Sequence, residues 1–107
     1  MNKLVDAIVT EVYLGSPRLQ PMQTHEIVHL EHKLLELYES SFAALHTLMQ
    51  PKARVVVAFP AFKMEDGTWH HLQIESLLHK LGYRLHQQFL YHRADQLVAR
   101  DISICSL

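Results

Sequence analysis

Apolar and polar positions follow two different periods along the chain, and each change of period marks a new element. Leu4 to Thr10 (LVDAIVT) is a short, β-branched, mostly apolar run. Such a run predicts a buried strand. The following EVYLGSPRLQPMQ carries Gly15, Pro17 and Pro21, which keep it irregular. From Glu26 to Gln50 apolar residues recur at Ile27, Leu30, Leu34, Leu37, Tyr38, Phe42, Leu45 and Leu48. That three/four spacing predicts one long amphipathic helix. Thr24 is its expected N-cap, Glu26 suits the positive end of its dipole, and Pro51 lies beyond its far end.

Arg54 to Phe59 (RVVVAF) predicts a second buried strand, terminated by Pro60. Asp66-Gly67 predicts a turn, and Trp69 to Leu81 a second helix capped by Thr68. Its inward positions are Ile74, Leu77, Leu78 and Leu81, and Gly82 stands where a C′ glycine belongs. Tyr83 to Tyr91 and Leu97 to Ile104 predict two further strands. The short HRADQ connection makes these two antiparallel neighbours. The predicted order is therefore strand, helix, strand, helix, strand, strand, an α/β arrangement. Crossover helices make the first three strands parallel and leave the last reversed. No linker, repeat or low-complexity tract divides the chain, so residues 1–107 are expected to form a single domain.

Composition narrows the class. A hydrophobic content of 49% in 107 residues fits a folded core rather than disorder. Ten Lys+Arg against eleven Asp+Glu leave a net charge of −1, which excludes binding nucleic acid chiefly by bulk positive charge. The single cysteine, Cys105, has no internal disulfide partner, and a cytoplasmic protein is expected. No apolar run approaches the roughly 20 residues of a membrane helix. The start MNKLVDAIVTEVY lacks the zones of a secretory signal, so neither membrane nor export is expected.

Nine histidines are the unusual feature. His25, His29 and His32 fall at helical spacing, a legitimate metal pattern, but no cysteines or paired carboxylates are arranged around them. They read as surface or interface histidines, and no metal is expected. His70 and His71 are expected to begin the second helix. A surface this rich in histidine makes association sensitive to pH between about 5 and 7. Trp69 reads as a packing residue, while Arg84, Arg93 and Arg100 of the terminal hairpin suit phosphate contact or a solvated strand face equally.

In open parallel sheets, ligands bind beyond the carboxyl ends of the strands. Two loops occupy that place: Glu11-Val12-Tyr13-Leu14-Gly15 after the first strand, and Pro60-Ala61-Phe62-Lys63 after the second. A carboxylate there can accept hydrogen bonds from an exocyclic amine, and an aromatic ring can stack on a planar base. A solvated Glu beside a packing Tyr is the competing reading of the same residues.

DAIVTEVYLGSP resembles the segment DAIVTEPYLGPP of class I S-adenosylmethionine-dependent methyltransferases that modify tRNA guanine at N2, the RNA methylase family. The resemblance continues in order through RVVVAFPAFKMEDGTW, LLHKLGYR and LYHRADQLVARDISI. It implies half of a Rossmann-like class I methyltransferase sheet, strands four to seven of seven, the last inserted antiparallel between its two predecessors. It also implies that Glu11 orients the target amine as the catalytic carboxylate and that Tyr13 lines or stacks on the base. Leu14 and Gly15 would shape the pocket, and Phe59, Pro60 and Phe62 would border it. Val12 stands where the family has proline, a change expected to loosen this loop, and Ala94 stands where the related tail often has proline.

The family's cofactor, S-adenosylmethionine, needs a Gly-rich turn after the first strand of the complete fold. Gly15, Gly67 and Gly82 form no such cluster, so no cofactor site is expected in this chain, nor methylation by it alone. Two functions follow: a truncated or split RNA/DNA amino-methyltransferase half, or a non-catalytic self-associating module. The expected partners are a second copy or a complementary methyltransferase half, with tRNA in a complete assembly. The motive for a homodimer is the LVDAIVT edge, which lacks the neighbour a central strand has. Crossover helices on one side also leave the other sheet face bare, and a two-fold axis pairing the first strands would close both.

Overall fold

A computed structural model of the chain describes residues 4–15 and 18–107. The elements are β1 (Val5–Glu11), α1 (Thr24–His46), β2 (Met49–Lys63), β3 (Trp69–His71), α2 (Ile74–Lys80), β4 (Arg84–Tyr91) and β5 (Val98–Ser106). The sheet runs β1-β2-β5-β4, with β3 paired to β2. β1 lies parallel to β2, while β5 is antiparallel to both β2 and β4. This mixed α/β sheet contains one strand, β3, that the sequence pattern placed in a helix. Among the described residues no helix is long and apolar enough to cross a membrane.

α1 begins at Thr24, two residues before the predicted Glu26, and Gln23 rather than Thr24 is the N-cap. The cause is Glu26, whose Oε1 folds back to accept the Gln23 N–H at 3.2 Å. That bond, followed by the Arg18 guanidinium, holds the Glu26 carboxyl below its ordinary range. The far end also stops short of Gln50. Thr47 donates from Oγ1 to the Ala44 carbonyl at 2.7 Å, and the chain enters β2 at Met49. Ile27, Leu34, Tyr38 and Phe42 are buried as the spacing requires, but Leu37 and Leu48 lie on the exposed side at 46% and 54%.

β2 runs straight through Pro60, where the sequence predicted a stop. The register explains the tolerance. β1 pairing ends at Ala58, whereas β3 pairing begins at Ala61 on the same side of β2. Pro60 sits in the gap between those neighbours, so its missing N–H costs no ladder bond.

The expected start of the second helix is instead the hairpin strand β3. Met64 donates to the Thr68 carbonyl at 2.8 Å, and Gly67 closes the turn at φ 87°. Both histidines of β3 are then tied down. His70 Nε2 meets Glu31 at 2.8 Å, and His71 Nδ1 meets the buried Asp101 carboxylate at 2.6 Å. The other Glu31 oxygen accepts the Gln73 N–H at 2.9 Å, so a residue of α1 fixes where α2 begins.

One sheet face is the core. Val55, Val57 and Phe59 of β2 share it with Cys105 of β5, beneath Tyr38 and Phe42 of α1 and Leu78 of α2. Phe59 packs against both helix aromatics, at 5.4 Å from Tyr38 and 5.6 Å from Phe42 between ring centroids. The opposite face carries Val9, Val56, Ala58, Phe89, Ile102 and Ile104, and no described element covers it. β1 forms the outer edge. The buried strand expected at LVDAIVT is therefore an exposed one, with only Ile8 partly shielded and Val9 79% exposed.

Candidate functional site

Glu11 is the last residue of β1, and it lies at the carboxyl end of the parallel pair β1–β2. β5 is reversed and starts at that same end, so Arg100 reaches Glu11 across β2. Arg100 Nε donates to Glu11 Oε2 at 2.6 Å. The pair is roughly half-exposed, at 33% for Arg100 and 48% for Glu11, on the helix-free side of the sheet. The bond to Glu11 raises the Arg100 pKa above its ordinary value.

The loop beyond Glu11 is held at each step. Val12 donates its N–H to the Ala58 carbonyl at 3.3 Å and packs against the core. A proline could not make that bond, so the residue expected to loosen the loop extends the β1–β2 ladder by one link. Tyr13 keeps its side chain 56% exposed while its carbonyl accepts the buried Tyr38 hydroxyl at 2.5 Å. Burial pushes that hydroxyl's pKa well up, so it remains a donor. Gly15 adopts φ 92°, and a Cβ there would stand 3.8 Å from the Phe62 ring. The loop is thus folded down onto β2 rather than projecting from it.

Glu11, Val12 and Tyr13 form one wall of a cavity of about 250 Å³, and Leu37, Tyr38 and Ser41 of α1 form another. An aromatic hydroxyl and an exposed aromatic ring thus meet beside an apolar helix face, while the Glu11 carboxylate turns to Arg100 on the other face of the sheet. Leu14 and Gly15 continue the loop outside that lining, half-buried. Phe59, Pro60 and Phe62 are fully buried, below the loop rather than in the cavity wall. Tyr38 and Arg100 join the site through tertiary contacts. Tyr38 sits within the core period of α1, and nothing in local spacing marks its bond to Tyr13. Arg100 sits on a strand 89 positions from Glu11, and only the register of β5 unites them.

The other conspicuous side chains lie elsewhere. His25, His29 and His32 are exposed on α1, with His32 paired to Glu36 at 3.2 Å. Among the described residues no three His, Cys, Asp or Glu side chains gather as a metal-ligand set. Trp69 lies on β3, half-buried, with its ring centroid 4.9 Å from that of His92, and it pins the β2–β3 hairpin to the β4–β5 turn. Lys63 Nζ stands 5.9 Å from the same indole.

S-adenosylmethionine requires a glycine-rich turn running into a helix. Gly15, Gly67 and Gly82 have positive φ, and each serves a separate turn. Gly82 backs against His46 Nε2, which a Cβ would approach to 3.1 Å. The cofactor does not fit the described residues.

No protein-family model matches the chain, and no curated protein matches it. Solved structures do, among them two of TTHA0409 of Thermus thermophilus, named "Putative DNA Modification Methylase". The selenomethionine form is 13% identical and the other 16%, both with a TM-score of 0.62. Each comparison covers 95% of this chain but only 44% or 45% of that protein. The chain therefore has a methylase-like fold and spans less than half the length of the protein it resembles.

Proposed function

We propose that the chain is the C-terminal half of a nucleic-acid amino-methyltransferase, one that presents a target base while a second polypeptide half supplies S-adenosylmethionine. The single observation that carries this reading is the fold likeness, which covers 95% of this chain and only 44% of the methylase. The placement of Glu11 and Tyr13 supports the base-handling role. They sit at and just beyond the carboxyl end of β1, where open α/β sheets hold ligands. The Glu11 carboxylate accepts the hydrogens of an exocyclic amine, and the exposed Tyr13 ring offers a stacking face. The resemblance of DAIVTEVYLGSP to the tRNA guanine-N2 enzymes favours RNA as substrate.

Two measurements test the proposal. Isothermal titration of the chain with S-adenosylmethionine is expected to give no binding, and tight binding would refute the division of labour. Mixed with a complementary cofactor-binding half, the chain is expected to support transfer of a labelled methyl group to tRNA. Glu11→Ala should abolish that transfer.

A second reading is a non-catalytic interaction module. The observation favouring it is the exposed outer edge of β1, together with the bare apolar sheet face beside it.

A further inference from the structure

We infer that β1 pairs antiparallel with β1 of a second copy about a two-fold axis passing through Ile8, joining two sheets into one. This deepens the self-association reading by fixing its surface and register. β1 is a seven-residue edge strand with no proline or lysine inside it. Such an edge is a template for another strand.

The backbone sets which groups are available. Val12 donates to Ala58 of β2, so alternation turns the even positions Ile8, Thr10 and Val12 toward β2. Ala7, Val9 and Glu11 then turn their N–H and C=O groups outward. An antiparallel partner centred on Ile8 sets Ala7 opposite Val9 of the copy, and Val9 opposite Ala7. Both are positions with outward groups, so they exchange paired hydrogen bonds.

Charge and length select the same register. Centred on Ile8, the strand from Val5 to Glu11 overlaps its copy over its full length, with the Val5 N–H kept by its own bond to Leu48. Asp6 faces Thr10 and Glu11 faces Val5, so no two acids meet. Centring on Asp6 or Glu11 sets like charges opposite one another, and centring on Ala7 or Val9 leaves strand ends unpaired. An odd shift turns the apolar set to the wrong face. A two-fold axis normal to the sheet puts both copies of α1 on the same face. Leu37, 46% exposed beside this edge, then has a surface to meet.

Ile8 opposite its own copy is a non-hydrogen-bonded pair, with Cα atoms about 4.5 Å apart, inside disulfide range. Ile8→Cys is therefore expected to form a disulfide-linked dimer on oxidation, while the parent protein, whose Cys105 is buried, forms none. Light scattering of the parent at micromolar concentration should give twice the monomer mass. Val9→Pro removes an outward N–H that the monomer does not use, and Val9→Lys charges a side chain already 79% exposed. Both variants should keep the monomer's circular dichroism and halve the scattering mass. A monomeric parent, a dimer persisting in both Val9 variants, or no cross-link at residue 8 would each overturn the inference. A chain that is monomeric alone and assembles only with a complementary half would overturn it too, while leaving the methyltransferase reading standing.

Discussion

Arg100 donates its Nε–H to Glu11 across the width of β2, tying the edge strand β1 to β5 at the carboxyl end of the sheet. The bond leaves Glu11 Oε1 and both Arg100 Nη atoms without a partner among the described residues. The pair can therefore be loaded by a ligand without first being broken.

Because the pair is half-exposed, its worth to stability is small. Glu11→Gln and Arg100→Gln should each lower the unfolding free energy by less than about 1 kcal/mol, with a coupling of similar size in the double variant. Urea denaturation of the four proteins measures it. A loss of several kcal/mol would show that the ion pair, rather than the β1–β2 ladder, keeps β1 in the sheet.

Tyr38 anchors the loop through its hydroxyl. Tyr38→Phe keeps the ring packed on Phe59 but leaves the Tyr13 carbonyl without its donor. A cost of about 1–2 kcal/mol is expected, together with faster amide exchange over Val12 to Gly15 than in the rest of β1. Hydrogen-exchange mass spectrometry resolves the two segments.

Asp101 is a carboxylate only 2% exposed, and its side chain is partnered by His71 from β3. His71→Ala strands that charge at a cost of about 1–3 kcal/mol, more than the same change at an exposed histidine such as His29. Adding Asp101→Asn should recover part of the loss. Thermal unfolding of the single and double variants checks the order.

Alkaline pH should destabilise the fold. Burial pushes the Cys105 thiol up to about 11 and the Tyr83 hydroxyl up to about 12, and raises Tyr38 as well. The folded state thus keeps protons that the unfolded chain releases from about pH 9 for the thiol and pH 10 for the phenols. Stability from these groups is complete below that range and falls as pH rises through the folded values. Chemical denaturation between pH 8 and 11 tests the direction. Cys105 should also resist thiol reagents until the protein unfolds.

Periodicity alone revealed α1, the core of β2 and the terminal hairpin, because each buries a face at a fixed spacing. It misplaced Trp69–His71, since the forces that make β3 a strand are long-range: Glu31 and Asp101 hold its histidines from distant elements. Pro60 looked like a strand terminator because its exemption depends on where β1 ends and β3 begins. At the site, the Glu11-x-Tyr13 loop was legible in the chain itself. Tyr38 and Arg100 were not, because the sheet register and the packing of α1 bring them there. The burial of Phe59, Pro60 and Phe62 likewise follows from β2 running on beneath the loop.

The sheet register also places the start of β1 and the finish of β5. Val5 pairs with Met49 at the start of β2, and Ser106 pairs with Arg54 nearby, on the other side of the same strand. Val5 and Ser106 thus both lie at the foot of the sheet, opposite Glu11 and Arg100. A probe attached near Val5 or Ser106 would therefore stand at the end of the sheet away from the candidate site.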